Sequence, residues 1–184
     1  MKKIVILRLG HRLVRDARVT THCALVSRAL GAEKIILAGE EDPYFEKEIK
    51  SISEQWGGSF ETEFTDSWKK TLNEYKQNGF TSIHLTMYGE PLQEVIKKVK
   101  EKSKFIILIG SQKVPMEVYH EVDFNASVTS QPHSEIAALA VTLHELFEGK
   151  ELNKKFSNAK IKISPDPRGK KVISNKSFSD KNLK

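Results

Sequence analysis

Short runs of aliphatic residues alternate along this chain with longer stretches of helical periodicity, and this alternation restricts the fold more than any other feature. The runs at 3–9, 34–39 and 104–110 are almost continuously apolar, as in KFIILIG. Continuous apolar runs of this length are typical of strands buried on both faces of a parallel sheet. The pattern therefore predicts an α/β fold with a mostly parallel sheet and helices on both of its faces.

The individual elements follow from the same reading. Asp42 and Pro43 indicate a helix cap and a first-turn proline, and Pro132 is likewise predicted to lie in the first turn of the last long helix. The predicted strands are 3–9, 34–39, 59–64, 81–87, 104–110 and 123–128, and the predicted helices are 21–31, 43–56, about 67–78, one that opens at Pro91 and one that follows Pro132.

The positive charge is concentrated at the C-terminal end. The chain has a net charge of +6, yet residues 149–184 contain ten lysines, one arginine and only three acidic residues. Within this part, PDPRG separates two alternating segments, which predicts a β-hairpin at about 159–174 followed by a frayed end. We therefore expect a main domain over 1–148 and a basic extension over 149–184.

Several classes of protein are disfavoured by composition. Cys23 is the single cysteine, so no internal disulfide forms, and no metal-ligand spacing is present. The opening MKKIVILRLG is too short for a signal peptide or a membrane span, and Arg8 interrupts it. We expect a cytoplasmic protein without a metal or a membrane contact.

The arginines are clustered near the start of the chain. Five of the six lie in the first 28 residues, namely Arg8, Arg12, Arg15, Arg18 and Arg28. A guanidinium makes forked contacts with phosphate, whereas lysine mostly supplies charge. The arginine cluster and the basic extension together favour a polyanionic partner such as nucleic acid.

Four polar segments follow predicted strands. They read GHRLVRDARVTTH, YGEP, GSQKVP and TSQPHSE. In a parallel sheet the carboxyl ends of the strands share one edge, where ligands usually bind. None of the four has the glycine spacing of a dinucleotide or nucleoside triphosphate loop, so a different ligand is expected there.

These segments carry a family resemblance. The blocks LRLGHRLVRDARVTTHCALVSRALGA, HLTMYGEP, IGSQKVPMEVY and VTSQPHSEIAALAV occur in this order over about residues 4–145. In this combination they resemble the archaeal tRNA ribose 2′-O-methyltransferases of the SPOUT superfamily, which modify the T-loop cytidine at tRNA position 56. The resemblance implies a C-terminal trefoil knot, S-adenosylmethionine as cofactor, a homodimer and the T-loop or elbow region of tRNA as substrate.

The resemblance also implies site residues. The cofactor would be bound by the end of one strand and by two loops, and free backbone groups in such turns are suited to reading the edge of adenine. The implied cofactor-binding residues are Leu85, Gly110, Ser111, Gln112, Lys113, Val114, Val128, Thr129, Ser130, Gln131, Pro132, His133, Ser134 and Glu135.

The catalytic role would fall to the first block. Related enzymes rely on an arginine there, which makes Arg18 and Arg15 the candidates, with His22 close by. An arginine remains protonated, so it is poorly suited to act as a base. We expect it to grip the phosphate beside the target ribose and lower the pKa of the 2′-hydroxyl, while water, His22 or a neighbouring phosphate takes the proton.

Two other functions remain open at this stage. A non-catalytic RNA-binding α/β module accounts for the basic extension, and a small-molecule nucleotide-binding α/β enzyme accounts for the polar segments. Methyl transfer to RNA accounts for both features, and it is the function we predict.

Overall fold

Six parallel strands form the central sheet. The computed structural model describes residues 2–110 and 114–174. The strands are β1 (Lys3–His11), β2 (Lys34–Gly39), β3 (Glu61–Thr65), β4 (Thr81–Pro91), β5 (Lys104–Gly110) and β6 (Phe124–Ser127). They lie in the order β3-β2-β1-β5-β4-β6, and every neighbouring pair is parallel. The predicted parallel sheet is therefore confirmed.

Helices and a second, two-stranded sheet complete the described chain. The helices are α1 (Leu13–Ala29), α2 (Pro43–Trp56), α3 (Trp68–Gln77), α4 (Leu92–Lys98), α5 (Met116–Glu121) and α6 (Glu135–Phe147), with a 3₁₀ helix at Lys150–Asn153. Strands β7 (Ile161–Ser164) and β8 (Lys171–Ser174) pair antiparallel within the segment for which a hairpin is predicted. The lysine-rich end, 175–184, lies outside the described residues.

The sheet has a separate apolar core on each face, because alternate side chains of a strand point in opposite directions. On one face, strand residues such as Ile35 and Ile107 pack against Cys23 of α1 and Leu139 of α6, and α2 and α4 belong to the same cluster. On the other face, Leu72 of α3 and Val118 of α5 cover the sheet. Helices therefore occupy both faces, as predicted.

Helix α2 starts where the sequence predicts, after a cap at Asp42. The Asp42 carboxylate accepts hydrogen bonds from the backbone N–H groups of Tyr44 at 3.1 Å and Phe45 at 3.0 Å. Pro43 occupies the first turn, where a missing N–H has no cost. The predicted bounds of this helix, 43–56, are confirmed.

The start of α1 differs from the prediction. The helix begins at Leu13, whereas the apolar periodicity predicted a start near Thr21. The reason is that the buried positions of the first two turns are polar, namely Asp16 and Thr20. No apolar stripe therefore marks this half of the helix, although the tertiary structure buries it.

The start of α6 also corrects the prediction for Pro132. The helix begins at Glu135, and Ser134 is its N-cap, with Oγ accepting from the N–H of Ile136 at 3.1 Å. Pro132 therefore lies before the helix rather than in its first turn. The serine hydroxyl satisfies a free N–H of the first turn, a role that proline does not fill.

The C-terminal extension packs back on the main domain before the second sheet begins. The side chain of Lys154 donates to the carbonyl of Gly31 at 3.3 Å, and the N–H of Lys160 donates to the carbonyl of Gln55 at 3.0 Å. Glu151 is buried and lies 2.7 Å from Nδ1 of His144. The boundary at 148/149 and the trefoil knot stay predictions. Among the described residues no helix is both long and apolar enough to cross a membrane.

Burial of Cys23 leads to a first testable prediction. The thiol lies in the core at 0% exposure, and this burial raises its pKa to about 12. Since the thiolate is the reactive species, a chromogenic disulfide reagent at pH 8 should label the native chain very slowly. The same reagent should titrate one thiol in urea. Rapid labelling of the native chain would contradict this core packing.

Candidate cofactor cleft and arginine face

A cleft of about 810 Å³ opens at the carboxyl edge of β4, β5 and β6. Its size lies in the range of small-molecule pockets, and it combines apolar walls with a few polar groups. Its described lining is His84, Leu85, Thr86, Met87, Tyr88, Gly110, Val114, Met116, Tyr119, Pro132, His133, Glu135 and Ala138.

An interruption of β4 shapes one wall of this cleft. Leu85 and Glu90 both pair with Ala126 of β6, so the four residues between them leave the register. Where β4 resumes its pairing with β6, the backbone at Gly89 lies very close to that of Asn125. A Cβ on Gly89 would lie 2.5 Å from the carbonyl carbon and oxygen of Asn125. Residues 86–89 are not paired with β6, and three of them line the cleft.

His84 forms a neutral part of the same wall. It is 1% exposed, its Nδ1 lies 2.9 Å from the amide oxygen of Asn125, and its ring meets Tyr119 edge-on with 4.8 Å between the ring centroids. Burial lowers the pKa of His84. The hydroxyl of Tyr119 lies 3.0 Å from that of Thr86, so both polar groups are held at the cleft.

The segment before α6 contributes Pro132 and His133 to the lining of the cleft. Nδ1 of His133 lies 2.7 Å from the carbonyl of Gln131, which folds this exposed segment onto itself. Glu135, in the first turn, keeps 27% of its side chain exposed and pairs with Arg8, with 3.5 Å between Nη2 and Oε1.

The structure brings together part of the predicted cofactor set. Leu85, Gly110, Val114, Pro132, His133 and Glu135 line the cleft. Val128, Thr129, Ser130, Gln131 and Ser134 belong to the adjoining segment but are not among its described lining. Ser111, Gln112 and Lys113 lie outside the described residues. The cofactor roles of all fourteen stay predictions.

The predicted catalytic residues share a different surface, which we call the arginine face. Arg15, Arg18 and His22 are exposed on α1 and are spaced i, i+3, i+7, which places them on one side of the helix. Arg15 and Arg18 lie on α1, whereas the predicted helix began only at Thr21. None of the three is among the described lining of the cleft.

Sequence reasoning missed a buried polar network between these two surfaces. Arg8, in the central strand β1, is 0% exposed and donates from Nε to the hydroxyl of Thr20 at 2.9 Å. The same hydroxyl lies 2.8 Å from Nδ1 of His11, whose Nε2 is 3.8 Å from Asp42. Burial, followed by the charge of Arg8, lowers the pKa of His11. The available signal is an arginine inside an otherwise apolar strand, which points to a buried charge that needs a partner.

Comparisons with solved structures identify the fold. A TrmH/SpoU tRNA modifying enzyme from A. aeolicus superimposes with a TM-score of 0.62 at 16% identity, over 85% of this chain and 81% of that chain. The SpoU methyltransferase AviRb from Streptomyces viridochromogenes, in complex with the cofactor AdoMet, gives a TM-score of 0.60 at 15% identity, over 81% and 58%. The fold is that of the SpoU/TrmH-type methyltransferases, which confirms the predicted SPOUT-type fold.

Comparisons of sequence identify the family. The family model described as tRNA ribose 2′-O-methyltransferase, aTrm56, matches residues 56–173. A protein of Thermococcus kodakarensis named tRNA (cytidine(56)-2′-O)-methyltransferase is 51% identical, over 94% of this chain and 97% of its own length. One of the same name from Methanocaldococcus jannaschii is 48% identical, over 94% and 97%. The chain belongs to the aTrm56 family of tRNA ribose 2′-O-methyltransferases, and the predicted family is confirmed.

The close approach at Gly89 leads to a second prediction. In Gly89→Ala the new Cβ would meet backbone atoms of Asn125 at 2.5 Å, and backbone does not give way cheaply. Overpacking of this kind costs about 2 kcal/mol, so thermal denaturation should show a lower Tm and the cleft should bind ligands more weakly.

Gly169→Ala is the matched control. The nearest atoms to a Cβ there would belong to the side chain of Asp166, at an ordinary 3.6 Å or more. Equal Tm values for the two variants would contradict the close contact between the backbones of Gly89 and Asn125.

Proposed function

We propose that this chain transfers the methyl group of S-adenosylmethionine to the ribose 2′-hydroxyl of cytidine 56 in the T-loop of tRNA, in the cytoplasm. The observation that carries the proposal is the cleft at the carboxyl edge of β4, β5 and β6 in a chain of the aTrm56 family. The family provides the reaction class, and the cleft provides a place for the methyl donor.

The residues present fit this donor. Apolar side chains such as Leu85, Val114 and Met116 suit a flat adenine and the methylene groups of the methionine chain, while the hydroxyls of Thr86 and Tyr119 suit the polar edges of the base. Glu135 places a carboxylate in a cleft that would receive a cation. When bound, S-adenosylmethionine supplies an electrophilic methyl group on a positively charged sulfur.

The chain's own contribution to the reaction is positioning and charge. In this transfer the 2′-oxygen would gain the methyl group as the donor's sulfur–carbon bond breaks, and the hydroxyl proton would pass to an acceptor. We propose that Arg18, supported by Arg15, grips the phosphate beside the target ribose and stabilises the developing oxyanion. Water, His22 and the neighbouring phosphate are the available proton acceptors.

A homodimer would bring the two surfaces together. The arginine face is not among the described lining of the cleft in its own chain, so a second copy is the simplest source of it. Large apolar side chains are exposed near both surfaces, including Leu13 and Val14 on α1 and Val141 on α6. We propose that these side chains are covered in a two-fold interface, with one active site on each side of it.

The second sheet, β7 and β8, is suited to bind the phosphate backbone of the tRNA elbow. Lys162, Arg168, Lys170 and Lys171 are exposed on β7, β8 and the turn between them. Cationic side chains on such a projection supply affinity that does not depend on the base sequence. This proposal gives the basic extension a role in substrate binding.

The test of the function is methyl transfer to a defined nucleotide. The purified chain, incubated with unmodified tRNA transcript and S-adenosylmethionine labelled in the methyl group, should place one methyl group on the ribose of cytidine 56, mapped by nuclease digestion and mass spectrometry. A transcript in which only cytidine 56 is 2′-deoxy should accept none. Transfer to another nucleotide would contradict the proposed substrate, and tRNA binding without transfer would favour a non-catalytic module.

Arg18→Ala separates catalysis from cofactor binding. Since Arg18 is proposed to contact the phosphate of the tRNA and not the methyl donor, calorimetry should show an unchanged Kd for S-adenosylmethionine. Loss of one charged group that stabilises an oxyanion typically lowers kcat by about 100-fold or more. The control is Lys47→Ala, which removes an exposed charge from α2. Wild-type turnover by Arg18→Ala would remove this residue from the mechanism.

A further inference from the structure

We propose that Arg8 is a positioning residue that holds Glu135 as the fixed anion of the cofactor cleft. The ligand in this inference rests on the proposed function, whereas the pairing of the two side chains is a property of the fold. The evidence is the geometry of Arg8, the exposure of Glu135 and the charge of the methyl donor.

Arg8 reaches the cleft from inside the sheet. Its strand, β1, lies between β2 and β5, and its side chain is 0% exposed. The Nε–H is used by Thr20 of α1, which orients the guanidinium at a distance of 2.9 Å. Of the terminal nitrogens, Nη2 lies 3.5 Å from Oε1 of Glu135.

Among the described residues Glu135 is the only carboxylate within ion-pair distance of Arg8, and the charge of Arg8 also acts on the buried Asp16. Within the described residues neither Nη1 nor Nη2 has a hydrogen-bond partner, and both are buried. A guanidinium removed from water without an anion nearby is strongly unfavourable. The pair with Glu135 therefore constrains where the carboxylate lies, because a move of Glu135 into solvent would leave Arg8 unpaired.

Arg8 is not among the described lining of the cleft, so it would affect the ligand by fixing the position of Glu135, which is. Glu135 provides the only carboxylate in the described lining of the cleft, and its side chain is 27% exposed there. S-adenosylmethionine carries two positive groups, the sulfonium and the α-ammonium, so a fixed anion in the cleft favours its binding. A carboxylate that is already oriented loses little conformational entropy when the ligand arrives.

Arg28 shows what a purely structural buried arginine looks like in the same chain. It is 8% exposed, donates from Nη2 to the carbonyl of Gly57 and stacks on the ring of Phe156, 4.8 Å from its centroid. None of these residues is in the described lining of the cleft. Arg28→Met is therefore a matched control for the loss of a buried guanidinium.

The experiment is a double-mutant cycle in cofactor affinity. Calorimetry with S-adenosylmethionine is run on the full-length wild type, Arg8→Met, Glu135→Gln, the double variant and Arg28→Met, with thermal melts to check that each is folded. We expect Arg8→Met and Glu135→Gln each to raise Kd about tenfold, and the double variant to be about as weak as either single one. Arg28→Met should lower Tm while leaving Kd unchanged.

If Arg8→Met does not fold, Arg8→Lys is used in the same cycle. Lysine keeps one positive charge but does not reproduce the forked geometry that serves Thr20 and Glu135 together. It should therefore fold, bind the cofactor more weakly than the wild type, and show the same non-additivity with Glu135→Gln.

The outcomes separate this inference from the proposed function. Wild-type binding with strictly additive effects of the two substitutions would overturn the role of Arg8 alone, as would an equal loss of affinity in Arg28→Met. Wild-type binding with the expected coupling, but without transfer to tRNA, would overturn the proposed function alone. A wild-type chain that does not bind S-adenosylmethionine would overturn both.

Discussion

A guanidinium buried in the central strand links the elements on which the site depends. Arg8 contacts Thr20 of α1 on one side and Glu135 of α6 on the other. Through the hydroxyl of Thr20 the contact extends to His11 at the end of β1, and from there to Asp42 at the cap of α2. Because Arg8, Thr20, His11 and Asp42 are buried and only Glu135 is partly exposed, a shift of one element leaves a buried polar atom of another without a partner.

The cleft depends on a second constraint, the return of β4 to β6. The chain leaves the register after Leu85 and resumes it at Glu90, and only a residue without a Cβ fits against the backbone of Asn125 at this point. This arrangement turns the segment 86–89 into a wall rather than a continuation of the strand. The neutral, buried ring of His84 then provides a polar group without a charge beneath it.

Much of the fold is predictable because local and tertiary preferences agree. The strand KFIILIG is apolar throughout, as a central parallel strand must be, and it is observed over Lys104–Gly110. The cap at Asp42 identifies the first residue of α2 for a similar reason, since its hydrogen bonds are made within three residues. Sequence motifs were also sufficient to identify the family.

The prediction was wrong at the starts of two helices, for different reasons. The first half of α1 buries Asp16 and Thr20, so no apolar stripe revealed that the helix begins at Leu13. Pro132 suggested a first-turn proline, yet the hydroxyl of Ser134 provides the cap and the helix begins at Glu135. At α1 the tertiary structure buries polar side chains that apolar periodicity does not register, whereas at α6 a local serine cap sets the boundary.

By itself the sequence determined the fold class, the family and the segments that surround the cleft, because apolar periodicity and motif order are properties of the chain. Only the tertiary structure decided which of those segments meet. It places Leu85, Val114 and Glu135 around one cavity and Arg15 and Arg18 on a separate face. In the sequence Arg8 only interrupts an apolar run, whereas in the structure it pairs with Glu135. A buried charge requires an anion nearby, and folding decides which anion that is.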